Sequence, residues 1–373
     1  MKTNYLTAVA LGLLTALCGC QAEDDAPHTP QGTIPIGFSG DVSATRAAGY
    51  GSAADLAAIG VFTCFTNGAF SESSSTPNFM YNQKVERQAG DGSWIYSPVK
   101  YWPANATEKL SFFAYAPYVD ETTPGGSNPT LSGNTAKGFP TLAYTVSAAE
   151  SSQVDLLASV PLMNRTYEET SGSVRFTMNH AMTKVGVYVK SKDDVTGKKV
   201  TAFSITSAKS GMLTYHAPDA GNAGDTGTGW TYPTPATTET FTAAATDFAV
   251  PDTKAAEKKL LATFFLLPKG EGSTFSITYT TPGKTSTGAE IMQTISLTGQ
   301  PLPSLDQWTQ GAFVSYTIGI EKKQITVTAT THPTWENGGS GTVTGSFTIT
   351  YAASPTDPEW GNGGKGTVNG TLN

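Results

Sequence analysis

Few side chains in this 373-residue sequence have the type and spacing to do chemistry. There are four histidines, His28, His180, His216 and His332, and three cysteines, Cys18, Cys20 and Cys64. No H-x-x-x-H, H-E-x-x-H or C-x-x-C spacing sets two metal-binding groups side by side. His180, inside Phe176–Met182, reads as a packed structural residue. A nucleophile elbow and a phosphate loop are both missing, and the carboxylates are scattered. No catalytic residue, metal ligand or cofactor is therefore expected, and the chain reads as non-enzymatic.

One thiol does have a chemical context. Lys2 provides a basic start, and Tyr5–Leu17 is an apolar run of secretory length, too short for a confident membrane span. Leu17 and Gly19 then stand at −3 and −1 before Cys20, which resembles the lipobox of bacterial lipoproteins. There the thiol is acylated, and cleavage leaves a lipidated cysteine at the new N-terminus. An ordinary signal peptide cut near Gly19 or Ala22 is the alternative, with Cys20 incidental. Cys18 is a poorer acceptor, with Leu17 at −1. Processing at Cys20 leaves a single thiol, Cys64, which excludes an intramolecular disulfide. Its apolar surroundings, Ile59–Phe65, suit a buried residue.

The rest of the chain is written in period two. Leu110, Phe112 and Ala114 alternate, as do Val185, Val187 and Val189, then Phe275, Ile277 and Tyr279. Val314, Tyr316, Ile318 and Ile320 share a face, and Ile325, Val327 and Ala329 follow. With 39 Gly and 22 Pro punctuating these runs, the fold class is all-β. Ile34, Ile36 and Phe38 predict a strand early in the chain. Helical patterning is confined to Ser52–Ala58 and Ala255–Leu261. Charged residues make up 14% and the net charge is −7, which argues against nucleic-acid binding. The polar stretch ending in Ser171-Gly172 suggests a boundary between two β-sandwich domains. The expected divisions are 1–20 (signal peptide), 21–31 (linker), 32–168 (first domain) and 169–373 (second domain).

Three further features invite a function. The aromatic run Trp94–Pro103 could stack on sugars, although Trp94 and Tyr96 on one strand face read better as core. Arg46 is the first of four arginines and lies among small residues beside Gly49-Tyr50-Gly51. That suits either a peptide open to a protease or an ordinary surface loop. At the C-terminus, Pro333–Gly345 recurs as Pro358–Gly370, 25 residues on. Two copies are too few for a solenoid, so a duplicated strand-and-loop unit is expected, with the added tail at about 346–373.

Taken together, Trp94–Pro103, Leu110–Tyr118, Val154-Asp155-Leu156-Leu157, Phe176–Val189 and Phe265-Leu266-Leu267-Pro268 resemble the fimbrillin-like proteins of Bacteroidales. Tyr316–Thr330 leading into Trp335 continues the likeness. These proteins are subunits of type V pili and their lipoprotein relatives. The resemblance implies two tandem transthyretin-like β-sandwich domains behind a disordered lipoprotein leader. It also implies an outer-membrane lipid anchor at Cys20 and display at the cell surface, and Glu23-Asp24-Asp25 resembles the group's surface-export signal. An arginine-specific protease would cut between Arg46 and Ala47 and remove the N-terminal strand. Another pilin subunit would fill the vacated groove by strand exchange, with Phe347, Ile349 and Tyr351 as the natural donor strand. A host or bacterial surface ligand is a further expected partner. The rival reading is a non-polymerising surface lipoprotein that binds glycan.

Overall fold

The computed structural model describes residues 31–42, 52, 55–121, 129–222, 224–285, 287–321, 324–333, 335 and 341–350. Cys20, Arg46, Ala47 and Tyr351 lie outside the described residues. The chain is mostly β, in several sheets.

The first large sheet has eight strands. Its path runs Gly37–Val42, Ser173–His180, Leu157–Ser159, Glu108–Ala116, Ala58–Asn67, Met80–Arg87 and Trp94–Ile95, with Leu162–Arg165 also pairing to Glu108–Ala116. The run Leu110–Ala116 is apolar almost throughout because both faces of this sheet are covered. Leu110, Phe112, Ala114 and Ala116 enter a core with Ile59, Val61, Val174 and Phe176. Phe113 and Tyr115 enter a second, larger core with Phe62 and Cys64 on the opposite face.

Two five-stranded sheets supply most of that larger core. One is Lys259–Leu266, Thr183–Ser191, Phe313–Glu321, Gln324–His332 and Thr342–Thr350. The other centres on Lys199–Ala208 and Thr274–Lys284. Val185, Tyr316 and Ile325 from the first meet Phe203, Phe275 and Tyr279 from the second, as their alternation requires. A four-stranded sheet joins Thr130–Leu131 and Thr141–Thr145 to Ser210–Tyr215 and Thr228–Thr231. Strands from either side of residue 168 therefore pair directly, and Ser173–His180 lies in the first large sheet. The chain passes from that sheet to the next at Ala181-Met182.

One local expectation differs from the structure, and Ser52–Ala58 lies only partly within the described residues, with Ala58 opening the strand Ala58–Asn67. Ala255–Leu261 is not helical: Lys259–Leu266 is a strand on Thr183–Ser191, where pairing and burial of Leu261 override helix propensity. The one α-helix among the described residues is Tyr167–Thr170, started by a capping box between Thr166 and Glu169.

Candidate functional site

The early strand is split in two. Gln31–Pro35 pairs with Tyr101–Pro103, and Gly37–Val42 then lies parallel to Ser173–His180 as the edge of the first large sheet. Ile36 is the crossing point, and hydrogen bonds hold it there. Its amide donates to Lys100 O at 2.9 Å, and Tyr96 Oη donates to its carbonyl at 2.9 Å. Next to it, the Gly37 amide and Trp102 Nε1 both donate to Gly172 O, at 2.9 and 3.2 Å. Gly32 is needed for close approach, since a Cβ there would sit 2.2 Å from Trp102 O.

From Ile36 onward the even-numbered residues of this segment face inward. Ile36, Phe38 and Val42 are buried, whereas Ile34 is 37% exposed. The Phe38 ring stacks on Phe176 at 5.8 Å and meets Tyr96 and Phe112 edge-on at 5.1 and 6.2 Å. Each such side chain contributes about 1.5–3 kcal/mol on burial. On the outer face Asp41 pairs with Arg175, an exposed contact that contributes little. The segment is thus a plug whose apolar residues fill a groove floored by Val174, Phe176, Met178 and Phe112.

The other chain end forms a second edge. Thr342–Thr350 pairs antiparallel with Gln324–His332 and is the last strand of its sheet. Phe347 and Ile349 are buried against their own sheet, while Val343 is 62% exposed. Two of the three expected donor residues are therefore docked within the chain. Trp335, in the loop before this strand, is buried and stacks on His180 at 3.7 Å. The P-x-W pattern was legible in the sequence as a repeat, yet nothing local showed that its indole fills a distant pocket.

Cys64, Asp155, His180, Lys184 and His332 are buried within the structure. His180 Nδ1 lies 3.0 Å from Asp155, both buried. His332 Nε2 pairs with Ser315 Oγ at 2.7 Å. Burial pushes the Cys64 thiol up to about 12, so its nucleophilic thiolate is suppressed. Burial also holds the Lys184 ammonium down to about 8, partly offset by Asp155. Among the described residues no group of three His, Cys, Asp or Glu side chains is placed to hold a metal. Of the Trp94–Pro103 aromatics, Trp102 is buried, Trp94 and Tyr96 pack half-buried against the same core, and Tyr101 is half-buried. An open cleft of about 410 Å³ lies elsewhere, on the four-stranded sheet, lined by Tyr144, Met212, Tyr232 and nearby hydroxyls.

The described chain is mostly β, with an edge strand near each end and with Cys64, His180, His332 and Asp155 buried. It belongs to the fimbrillin-like family, whose sequence profile matches residues 45–335. The fimbrium subunit Fim1C of Phocaeicola vulgatus is 32% identical over 161 residues, 41% of this chain and 41% of that protein. The alignment thus spans less than half the length of that relative. A fimbrial protein from Bacteroides vulgatus shares the fold, with a TM-score of 0.61 at 21% identity, over 82% of this chain and 100% of that one.

Proposed function

We propose that this chain is a structural subunit or adhesin of a surface fimbria, exported as a lipoprotein through Cys20 and assembled by strand exchange. Its architecture in this reading is two tandem transthyretin-like sandwiches, with Ser173–His180 completing the first. The supporting observation is the plug: Gly37–Val42 is an edge strand, joined to the sheet on one side only, and it lies just upstream of Arg46. A cut between Arg46 and Ala47 by an arginine-specific protease would free both the plug and the acyl anchor. The bared groove would present unpaired backbone groups on Ser173–Met178 and apolar pockets over Phe112 and Phe176. A strand from another subunit satisfies both needs at once. The donor is the tail strand with Phe347, Ile349 and Tyr351, which must first leave Gln324–His332. Partners are other fimbrial subunits, the protease, the outer membrane before cleavage, and a surface ligand of host or bacterium. The test is N-terminal sequencing of protein shaved from cells that carry the protease. A chain starting at Ala47 is expected. A chain found only as acylated protein starting at Cys20 contradicts the polymerising role.

A further inference from the structure

The loop after Gln324–His332 docks through a small set of residues. The Trp335 indole lies between His180, at 3.7 Å, and Phe265, at 5.8 Å, and its Nε1 donates to Gly311 O at 2.6 Å. Lys184 Nζ donates to the Trp335 carbonyl. Further on, two glycines are closely packed. A Cβ on Gly341 would stand 2.5 Å from Thr330 Cγ2 and 2.7 Å from Thr331 O. One on Gly345 would stand 2.6 Å from Ser304 Oγ and 3.0 Å from Pro303 Cβ. Phe347 then enters the core.

The same types recur at the same spacing 25 residues later, as Trp360, Gly366, Gly370 and Leu372. The second copy therefore retains an indole for the socket, glycine at both tight positions and an apolar side chain at the core position. A duplication kept only as a spacer has no need of this pattern.

We propose that segment 358–373 is a second occupant of the same socket and strand edge, within its own chain. The tail then has two seats. In one, Trp335 is docked and Thr342–Thr350 lies on Gln324–His332. In the other, the tail has slipped by one repeat, with Trp360 in the socket and residues 367–373 on that edge. The occupant comes from the same chain because tethering sets the competition. The roughly 28 residues between His332 and Trp360 give an effective concentration on the order of millimolar, above that of a second chain in micromolar solution. The first seat dominates because Phe347 covers more apolar surface than Leu372. The consequence reaches beyond assembly: the slipped seat frees residues 333–357, tail strand included, while Val327 stays paired, now opposite Leu372.

Disulfide trapping reads the two seats separately. Thr328 Oγ and Ser346 Oγ face each other at 3.2 Å, so T328C with S346C reports the first seat. T328C with T371C reports the second, because Thr371 stands 25 residues beyond Ser346. In the full chain under mild oxidation, the 328–371 link should accumulate within single chains, detected by peptide mass spectrometry on the monomer fraction. Adding F347S, which weakens the first seat without touching the socket, should speed it at least ~10-fold. Adding Trp360→Ala should abolish it. Three results overturn the proposal: no 328–371 link in the otherwise unchanged chain, a link indifferent to Trp360→Ala, or a link that joins two chains. All three are read without F347S, so poor folding of that variant does not affect the test.

Discussion

Replacing Phe38 by alanine tests how the plug is held. Phe38 is only 6% exposed and touches three aromatic rings, Phe176, Tyr96 and Phe112, so the truncation leaves a cavity that its neighbours fill poorly. Phe→Ala changes of this kind cost about 3–5 kcal/mol. The cost falls on the local equilibrium that detaches residues 37–42, because this strand is at a sheet edge and has one ladder to break. At tenfold per ~1.4 kcal/mol, opening becomes roughly 150-fold to several thousandfold more frequent. Amide hydrogen exchange, read on residues 38–42 and 174–178, should accelerate by that factor. Amides of the central strand Glu108–Ala116 should hold their protection. Ile34→Ala is the control: its side chain is exposed, and the expected change is under tenfold. Equal effects from Phe38→Ala and Ile34→Ala would refute the idea that the groove, and not the backbone ladder alone, retains the strand.

Gly32→Ala should loosen the pairing of Gln31–Pro35 with Tyr101–Pro103, because the new Cβ meets Trp102 O at 2.2 Å. A cost of about 1–3 kcal/mol is expected, followed as a gain in solvent quenching of Trp102. Lys184 gives a pH signature with a definite sign. Between about pH 8 and 9.5, below the tyrosine range, the unfolded chain holds a proton that the folded lysine has released. Lys184 should therefore add about 1–2 kcal/mol of stability across that window, read in urea titrations as the difference between the parent chain and Lys184→Met, because the buried Cys64 thiol contributes with the opposite sign there. Cys64, raised to about 12 and fully buried, should resist iodoacetamide at pH 8 in the folded protein and react quickly in denaturant.

The alternating runs carried most of the fold in plain view. Ile325–Ala329 buries the residues its period demands and leaves the alternates half-buried, while Val314–Ile320 buries Ser315 and Gly319 along with its apolar alternates because both its faces are covered. Leu110–Ala116 was harder to orient, since a strand covered on both faces loses its polar alternate. The early strand was visible as Ile34, Ile36 and Phe38, but its break at Ile36 depends on Tyr96, Lys100 and Gly172, which are remote in sequence. Boundary signals at Ser171-Gly172 marked a true turn. They could not show that the next strand returns to the sheet already built. Ala255–Leu261 has helical composition, yet the partner strand Thr183–Ser191 decides its conformation. For the Trp335 socket, the repeat was legible while the pocket, made by His180, Phe265, Lys184 and Gly311, was not.

The most direct test of the strand-exchange account uses purified protein and an arginine-specific protease. Chains cut between Arg46 and Ala47 should lose residues up to 46 and form linear polymers, seen by electron microscopy and light scattering. Arg46→Lys chains under the same treatment should stay monomeric with the plug in place. Chains that are cut at Arg46, release the N-terminal segment and still remain monomeric would contradict the account.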